Sequence, residues 1–114
     1  MVARMGQWTV FTVLIALLPL AAMAAPRCVE DDVGREVCLA QPAQRIVALS
    51  PGAVELLFSA GAGEQVVGAV SFSDEPPAAR KVPRVGSYKR LDLEAILALK
   101  PDLVLAWRSG NPAA

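Results

Sequence analysis

The chain has 114 residues with 11 acidic and 11 basic side chains, so its formal net charge is zero. Without an excess of lysine and arginine there is no basic field to attract nucleic acid or an anionic membrane surface. The sequence has no histidine, which excludes Ser-His-Asp and Cys-His catalysis and removes the commonest metal ligand in proteins. A chain of this length forms one domain at most.

The first 24 residues have the pattern of a cleavable signal peptide. Arg4 supplies a positive start, residues 10–20 are apolar apart from Thr12 and Pro19, and Ala22-Met23-Ala24 has the A-x-A form of a cleavage site. The alternative is an uncleaved membrane anchor, but the apolar run is shorter than the roughly 20 residues that span a bilayer. We therefore expect cleavage after Ala24 and export into an oxidising compartment.

Residues 25–44 predict a β-hairpin followed by a short connector. Asp32-Val33-Gly34 suits a three-residue hairpin loop with Gly34 in the left-handed conformation, and this loop places Cys28 directly opposite Cys38. In an exported protein this register predicts a disulfide between the two cysteines, the alternative being two free thiols. The C-x-x-C spacing of a redox motif is absent from the sequence.

The segment RIVALSPGAVELLFSAG, residues 45–61, combines a strand and a helix. Its apolar run at residues 46–49 predicts a strand buried on both faces. Ser50 suits the N-cap, Pro51 the first helical position, and Gly61 the residue that follows the C-cap. The helix between them is expected to present one apolar face, formed by Val54, Leu57 and Phe58.

Downstream segments alternate between strand and helix patterns. Residues 64–70 predict a second strand, residues 78–84 a helical turn followed by extended chain, residues 93–100 a helix with Asp92 as its N-cap, and residues 103–106 a third strand. The helix is expected to bury one apolar face, formed by Leu93, Ile96 and Leu97. Strands that alternate with helices indicate an α/β lobe with a parallel sheet, here preceded by the hairpin.

Ligands of such sheets bind outside the carboxyl ends of the strands. The segments that leave the three predicted strands are Ser50-Pro51, Ser71-Phe72-Ser73 and Trp107-Arg108, so aromatic and hydroxyl side chains converge on one rim. For Phe72, ordinary core packing remains an open alternative. The rim offers a surface without a nucleophile and base pair, which favours a binding module over an enzyme.

Two long segments resemble a known family. RIVALSPGAVELLFSAGAGEQVVGAVSFSDEPP and VGSYKRLDLEAILALKPDLVLAWRSGN are similar to the N-terminal part of periplasmic cobalamin-binding proteins, the substrate-binding components of vitamin B12 ABC importers within the helical-backbone metal receptors. The S-F-S-D-x-P-P and AWR-x-GN segments favour cobalamin, whereas iron-siderophore and haem receptors share the other motifs. The resemblance covers residues 45–111 and implies a periplasmic, Rossmann-like parallel-sheet lobe, the incomplete N-terminal lobe of a two-lobed protein.

The resemblance also implies a ligand site. Phe72, Tyr88 and Trp107 match the family's aromatic residues that pack against the corrin, although relatives commonly have tyrosine at the first position and some have tryptophan at the second. With the neighbouring rim residues, the predicted ligand-binding set is Ser50, Pro51, Phe72, Tyr88, Trp107 and Arg108. The family holds an intact cobalamin without a protein ligand to cobalt, so we expect neither a metal site nor a cofactor.

Glu94 matches the glutamate with which the family docks onto arginines of the inner-membrane permease. A simpler interpretation is that an acidic residue in the first turn of a helix is stabilised by the helix dipole. Family members continue into a bridging helix and a second lobe, whereas this sequence ends at Ala114, so we expect a fragment. The alternatives are a haem or iron-siderophore receptor of the same superfamily, or a non-functional fragment or interaction domain.

Overall fold

A computed structural model describes residues 25–112, so the predicted signal peptide lies outside the described residues. The described chain forms five strands and two α-helices: β1 (Arg27–Glu30), β2 (Glu36–Leu39), β3 (Ile46–Ala48), α1 (Pro51–Ser59), β4 (Val66–Ala69), α2 (Leu93–Ala98) and β5 (Leu103–Leu105). Short 3₁₀ helices cover Gly63–Gln65 and Pro77–Lys81. Within residues 25–112, no helix has the length and apolar character needed to cross a membrane.

β1 and β2 form the predicted antiparallel hairpin. Cys28 lies directly opposite Cys38 and the two are joined by a disulfide, so the predicted register and pairing are confirmed. Gly34 has a φ of 76°, the left-handed conformation that the three-residue loop requires. The Asp31 carboxylate accepts hydrogen bonds from the backbone N–H groups of Val33 and Arg35, at 3.0 and 2.8 Å, and so fixes the loop.

The other three strands form a parallel sheet in the order β4-β3-β5. This arrangement confirms the predicted α/β class with a parallel sheet. The central strand, β3, is buried along its whole length because it has a strand on each side and packed structure on both faces. Its neighbours along the chain, α1 and the segments between β4 and β5, therefore have to lie on the two faces of the sheet.

Two apolar clusters form the core, and the successive β3 residues Val47 and Ala48 belong to different clusters because their side chains point to opposite faces of the sheet. Val47 packs with Val70, Val85 and Ile96 on the face covered by α2. Ala48 packs on the other face, in a cluster with Val54 of α1, Ala69 and Ala79. The predicted burial of the strand on both faces is thus confirmed.

The boundaries of α1 follow the local sequence. Ser50 has an extended backbone, and its hydroxyl accepts a hydrogen bond from the Ala53 N–H at 3.2 Å, as an N-cap does. Pro51 occupies the first turn, where its missing N–H costs nothing, and Gly61 has a φ of 83° just beyond the C-cap. Val54 is fully buried, in agreement with the predicted apolar face.

Some details of the predicted elements are wrong. The helix α2 ends at Ala98 and not at residue 100, because Leu99 is its C-cap and Lys100 has a φ of 48°. The second strand is shorter than residues 64–70, because the 3₁₀ helix Gly63–Gln65 precedes β4. Leu93 and Leu97 of α2 are 62% and 73% exposed, although periodicity predicted that they would be buried with Ile96. The buried stripe instead includes Ala95 and Leu99, which pack beside Ile96 on the Val47 cluster.

Asp102 ties the start of β3 to the start of β5. Its carboxylate accepts hydrogen bonds from the backbone N–H groups of Gln44 and Arg45, both at 2.8 Å, and its own N–H donates to the Arg45 carbonyl at 2.9 Å. The Arg45 side chain donates through Nε to the Leu99 carbonyl at 2.7 Å, at the end of α2. The Gln44 bond, followed by the Arg45 bond, lowers the pKa of Asp102 below its ordinary value of 3.8.

We expect Asp102→Asn to lower the Tm at neutral pH, because the amide oxygen accepts fewer bonds than the carboxylate and lacks its charge. A carboxylate with a depressed folded-state pKa stabilises the fold fully above its unfolded pKa, and this contribution is lost as the pH falls through the folded-state pKa. The Tm difference between the two proteins should therefore be present above pH 3.8 and shrink below it. Thermal unfolding followed by circular dichroism tests this, with Asp32→Asn in the exposed hairpin loop as the control.

Candidate ligand-binding site

A groove of about 650 Å³ lies at the carboxyl edge of the parallel sheet, and we call it the rim groove. Its lining combines three aromatic side chains with the first turn of α1: Ser50, Pro51, Gly52, Ala53, Leu56, Phe72, Tyr88, Ala106 and Trp107. Five of the six residues that the sequence predicted for ligand binding are in this lining. Arg108 is not, although it follows Trp107 directly and is exposed.

Phe72 forms an exposed aromatic surface of the rim groove. Its side chain is 78% exposed, so the alternative of core packing does not hold. Its backbone has a φ of 68°, in the left-handed region that a bulky residue rarely adopts. The residues on each side fix it there: Ser71 N–H donates to the Gly86 carbonyl at 2.8 Å, and the Ser73 carbonyl accepts from Arg84 Nη2 at 3.0 Å.

Tyr88 and Trp107 form a second aromatic surface. Their ring centroids are 5.6 Å apart with planes inclined by 44°, a tilted arrangement that aromatic quadrupoles favour. The loop that carries Tyr88 begins at Gly86, whose φ is 102°, and a Cβ at this position would collide with the Arg90 carbonyl oxygen. Only glycine therefore allows the tight turn that places Tyr88 against the indole.

A tight turn after β5 holds Trp107. The N–H groups of Gly110 and Asn111 both donate to the Trp107 carbonyl, at 3.1 and 2.8 Å. The indole lies over Gly110, so closely that a Cβ there would meet its six-membered ring. The glycine is required because the aromatic side chain folds back onto its own turn.

Asn111 is not among the predicted site residues, and the structure places it next to the rim groove but outside its lining. Its amide nitrogen donates to the Leu49 carbonyl at 2.9 Å and to the Tyr88 carbonyl at 2.8 Å, and its Oδ1 accepts from the Trp107 N–H. The AWR-x-GN motif contained the signal, since an asparagine four residues after an aromatic can close a turn. The two long-range acceptors could not be identified from spacing.

Electrostatically, the rim groove is neutral. None of its lining residues is acidic or basic, and its polar groups are hydroxyls of Ser50 and Tyr88 together with backbone. Lys89 lies at its margin, with Nζ 5.6 Å from the centre of the Tyr88 ring. Such a surface offers stacking and a few hydrogen bonds, which are the contacts of a binding site for a large, flat, weakly charged molecule.

Glu94 lies outside the rim groove. It is exposed in the first turn of α2, where Asp92 caps the helix by accepting from the Ala95 N–H at 3.1 Å. A smaller hollow of about 340 Å³ is lined by carboxylates and apolar groups of Glu55, Phe58, Ser59, Glu75 and Pro76. It contains none of the predicted site residues.

Comparison with known proteins identifies the class. The family described as "Periplasmic binding protein" matches residues 46–114. This match covers the sheet, both helices and the entire rim groove. The chain belongs to the periplasmic binding protein family, as the sequence motifs indicated.

Curated relatives carry the name vitamin B12-binding protein. One from Pectobacterium carotovorum is 52% identical over 69 residues, which is 60% of this chain and 25% of the relative. Another, from Yersinia pseudotuberculosis, is 49% identical over 97 residues, 84% of this chain and 35% of the relative. The chain thus spans between a quarter and about a third of the length of these relatives.

Solved structures agree on the fold. The periplasmic vitamin B12 binding protein BtuF of Vibrio cholerae is 45% identical with a TM-score of 0.60, over 62% of this chain and 28% of that one. The periplasmic heme-binding protein RhuT from Roseiflexus is 38% identical with a TM-score of 0.57, over 61% and 27%. The scaffold is therefore shared by proteins named for two different ligands.

The backbone of Phe72 leads to a stability prediction. We expect Phe72→Gly to be more stable than Phe72→Ala by about 1 kcal/mol, because only glycine adopts a positive φ without steric cost. This figure is the steric cost that glycine avoids minus the extra conformational entropy that glycine loses on folding. Urea unfolding of the two variants measures the difference. At Leu56, which lies in α1, the order should be reversed because glycine is the poorer helix former. An alanine variant at position 72 as stable as the glycine variant would contradict the prediction.

Proposed function

We propose that this chain belongs to the substrate-binding component of an ABC importer, which captures cobalamin in the periplasm and delivers it to the inner-membrane permease. The observation that carries the proposal is the neutral, aromatic rim groove formed by Phe72, Tyr88 and Trp107. Relatives named vitamin B12-binding protein support the choice of ligand. Because the chain spans only part of those relatives, we assign to it one face of the site.

The chemistry of the rim groove suits capture without reaction. A corrin is a broad ring system, and the three aromatic side chains can stack on it while the Ser50 and Tyr88 hydroxyls can contact its amide groups. A cobalamin brings its own ligands to cobalt, so the protein needs none, which agrees with a sequence that lacks histidine. We propose that the chain acts as a carrier and has no enzymatic activity.

The second candidate is a haem or iron-siderophore receptor, because a heme-binding protein shares the fold at 38% identity. Haem carries two propionate groups and an iron that takes axial ligands. In this chain Tyr88 would have to supply an axial oxygen, and Lys89 or Arg108 would have to reach the propionates from outside the lining. The neutral lining favours cobalamin over this alternative.

Titration with cyanocobalamin tests the proposal. In a Trp8→Phe background Trp107 is the sole tryptophan, and we expect saturable quenching of its emission after correction for ligand absorbance. The affinity of this chain alone should be weaker than micromolar, since Phe72 and Trp107 remain 78% and 44% exposed. Phe72→Ala should weaken it by about threefold to tenfold, the value of one aromatic contact.

Haem and a ferric siderophore are titrated in parallel as competing ligands. Saturable quenching by one of these alone would assign the rim groove to the second candidate. No saturable quenching by any of the three would contradict a ligand-binding role for this face. Glu64→Ala, at an exposed position outside the groove lining, serves as a control that should leave the titration unchanged.

The permease contact is a separate part of the proposal and concerns Glu94. Its exposure in the first turn of α2 leaves the carboxylate available to a basic partner. We expect Glu94→Arg to reduce binding to permease-containing liposomes while the cyanocobalamin titration is unchanged. Glu64→Arg, in an exposed 3₁₀ turn, is the matched control. If Glu94→Arg lowers the Tm and leaves liposome binding unaffected, the residue only stabilises its helix.

A further inference from the structure

We propose that Asn111 is a positioning residue that fixes the walls of the rim groove relative to one another. The inference rests on the proposed function, because Asn111 matters for ligand binding only if the rim groove binds the proposed ligand. Asn111 is absent from the groove lining, so it acts through the backbone of residues that line the groove or directly precede it.

Each polar group of the Asn111 side chain reaches a different part of the site. One side-chain N–H donates to the carbonyl of Leu49, the residue that precedes the N-cap Ser50. The other donates to the carbonyl of Tyr88. The side-chain oxygen accepts from the N–H of Trp107. Both donors and the acceptor oxygen of one amide thus connect the end of β3, the Tyr88 loop and the turn after β5.

The orientation of this amide is determined by its partners. Two of them, the Leu49 and Tyr88 carbonyls, only accept hydrogen bonds, and the third, the Trp107 N–H, only donates. Rotating the amide by half a turn would place its oxygen against a carbonyl and an N–H against an N–H. Among the side chains of similar size, only asparagine offers two donors and one acceptor in this geometry.

The Leu49 carbonyl shows why a side chain is needed at this point. Leu49 N–H makes a sheet bond to the Leu105 carbonyl at 2.9 Å, but β5 ends at Leu105 and the chain then turns at Trp107. The sheet ladder therefore stops just before it would pair the Leu49 carbonyl. Asn111 supplies the donor in its place, and this bond positions the start of α1 against the Trp107 turn.

The same contacts set the geometry of the aromatic pair. Tyr88 and Trp107 come from different loops, and the Asn111 side chain bonds to the backbone of both. The backbone N–H of Asn111 also donates to the Trp107 carbonyl at 2.8 Å, which closes the turn that holds the indole. The 5.6 Å separation of the rings thus depends on this residue. Removing its donors should leave the sheet intact but release Tyr88 from Trp107.

Asn111→Asp is the sharpest variant, because it keeps the shape and the acceptor for Trp107 but replaces both donors with a carboxylate oxygen. In the Trp8→Phe background we expect it to change the near-ultraviolet circular dichroism of the Tyr88–Trp107 pair and the Trp107 emission, with far-ultraviolet circular dichroism unchanged. Loss of two hydrogen bonds should weaken cyanocobalamin binding about tenfold. Ser109→Ala, in the same exposed turn, is the matched control and should change neither signal.

Asn111→Ala, which also removes the acceptor, should produce a larger change in both aromatic signals. If Asn111→Ala does not fold, the aromatic signals and the cyanocobalamin affinity of Asn111→Asp alone test the proposal. A purely structural role would lower the Tm of Asn111→Asp while its near-ultraviolet signal and cyanocobalamin affinity stay those of the parent, and that result would overturn the proposal. If the Trp8→Phe parent binds no cyanocobalamin but Asn111→Asp still changes the aromatic signals, the positioning role of Asn111 is supported and the proposed ligand is rejected.

Discussion

The structure depends on the burial of one short strand. β3 pairs on both edges and packs on both faces, so its position determines where α1, β4 and β5 lie. Because all three strands are parallel, their carboxyl ends meet at one edge, and the loops that follow them meet there as well. The rim groove is a direct consequence of this topology: Phe72 follows β4 and Trp107 follows β5, while Tyr88 is added by the loop that precedes α2.

Local chemistry was readable from the sequence, and most of the local predictions are confirmed. Ser50 and Asp92 cap helices and Gly34 closes the hairpin loop because each acts on backbone a few residues away. The hairpin register that joined Cys28 to Cys38 followed from loop length alone. The family resemblance and the predicted parallel topology together place Phe72, Tyr88 and Trp107 at one edge, where the structure has them.

The predictions that failed depended on long-range packing. Periodicity placed Leu93 and Leu97 on the buried face of α2, but which face is buried depends on the partner, and the Val47 cluster receives Ala95 and Leu99 instead. Asp102 and Asn111 were missed because Asp102 bonds to Arg45, 57 positions away, and Asn111 bonds to Leu49, 62 positions away. The sequence has no local pattern that indicates such bonds. Polar side chains that join distant backbone segments are the least visible part of a site in a single sequence.

The bond from Asn111 to Leu49 has a consequence for the order in which this lobe is assembled. It joins residues 62 positions apart, so it forms only after nearly the whole described chain is present and the loop between them has closed. The hairpin, by contrast, is complete within residues 27–39, and its contacts are entirely local. A chain that has folded only the first half of its described residues therefore has a disulfide-linked hairpin and the beginning of a sheet, but it still lacks all three aromatic side chains of the rim groove and the residue that aligns them.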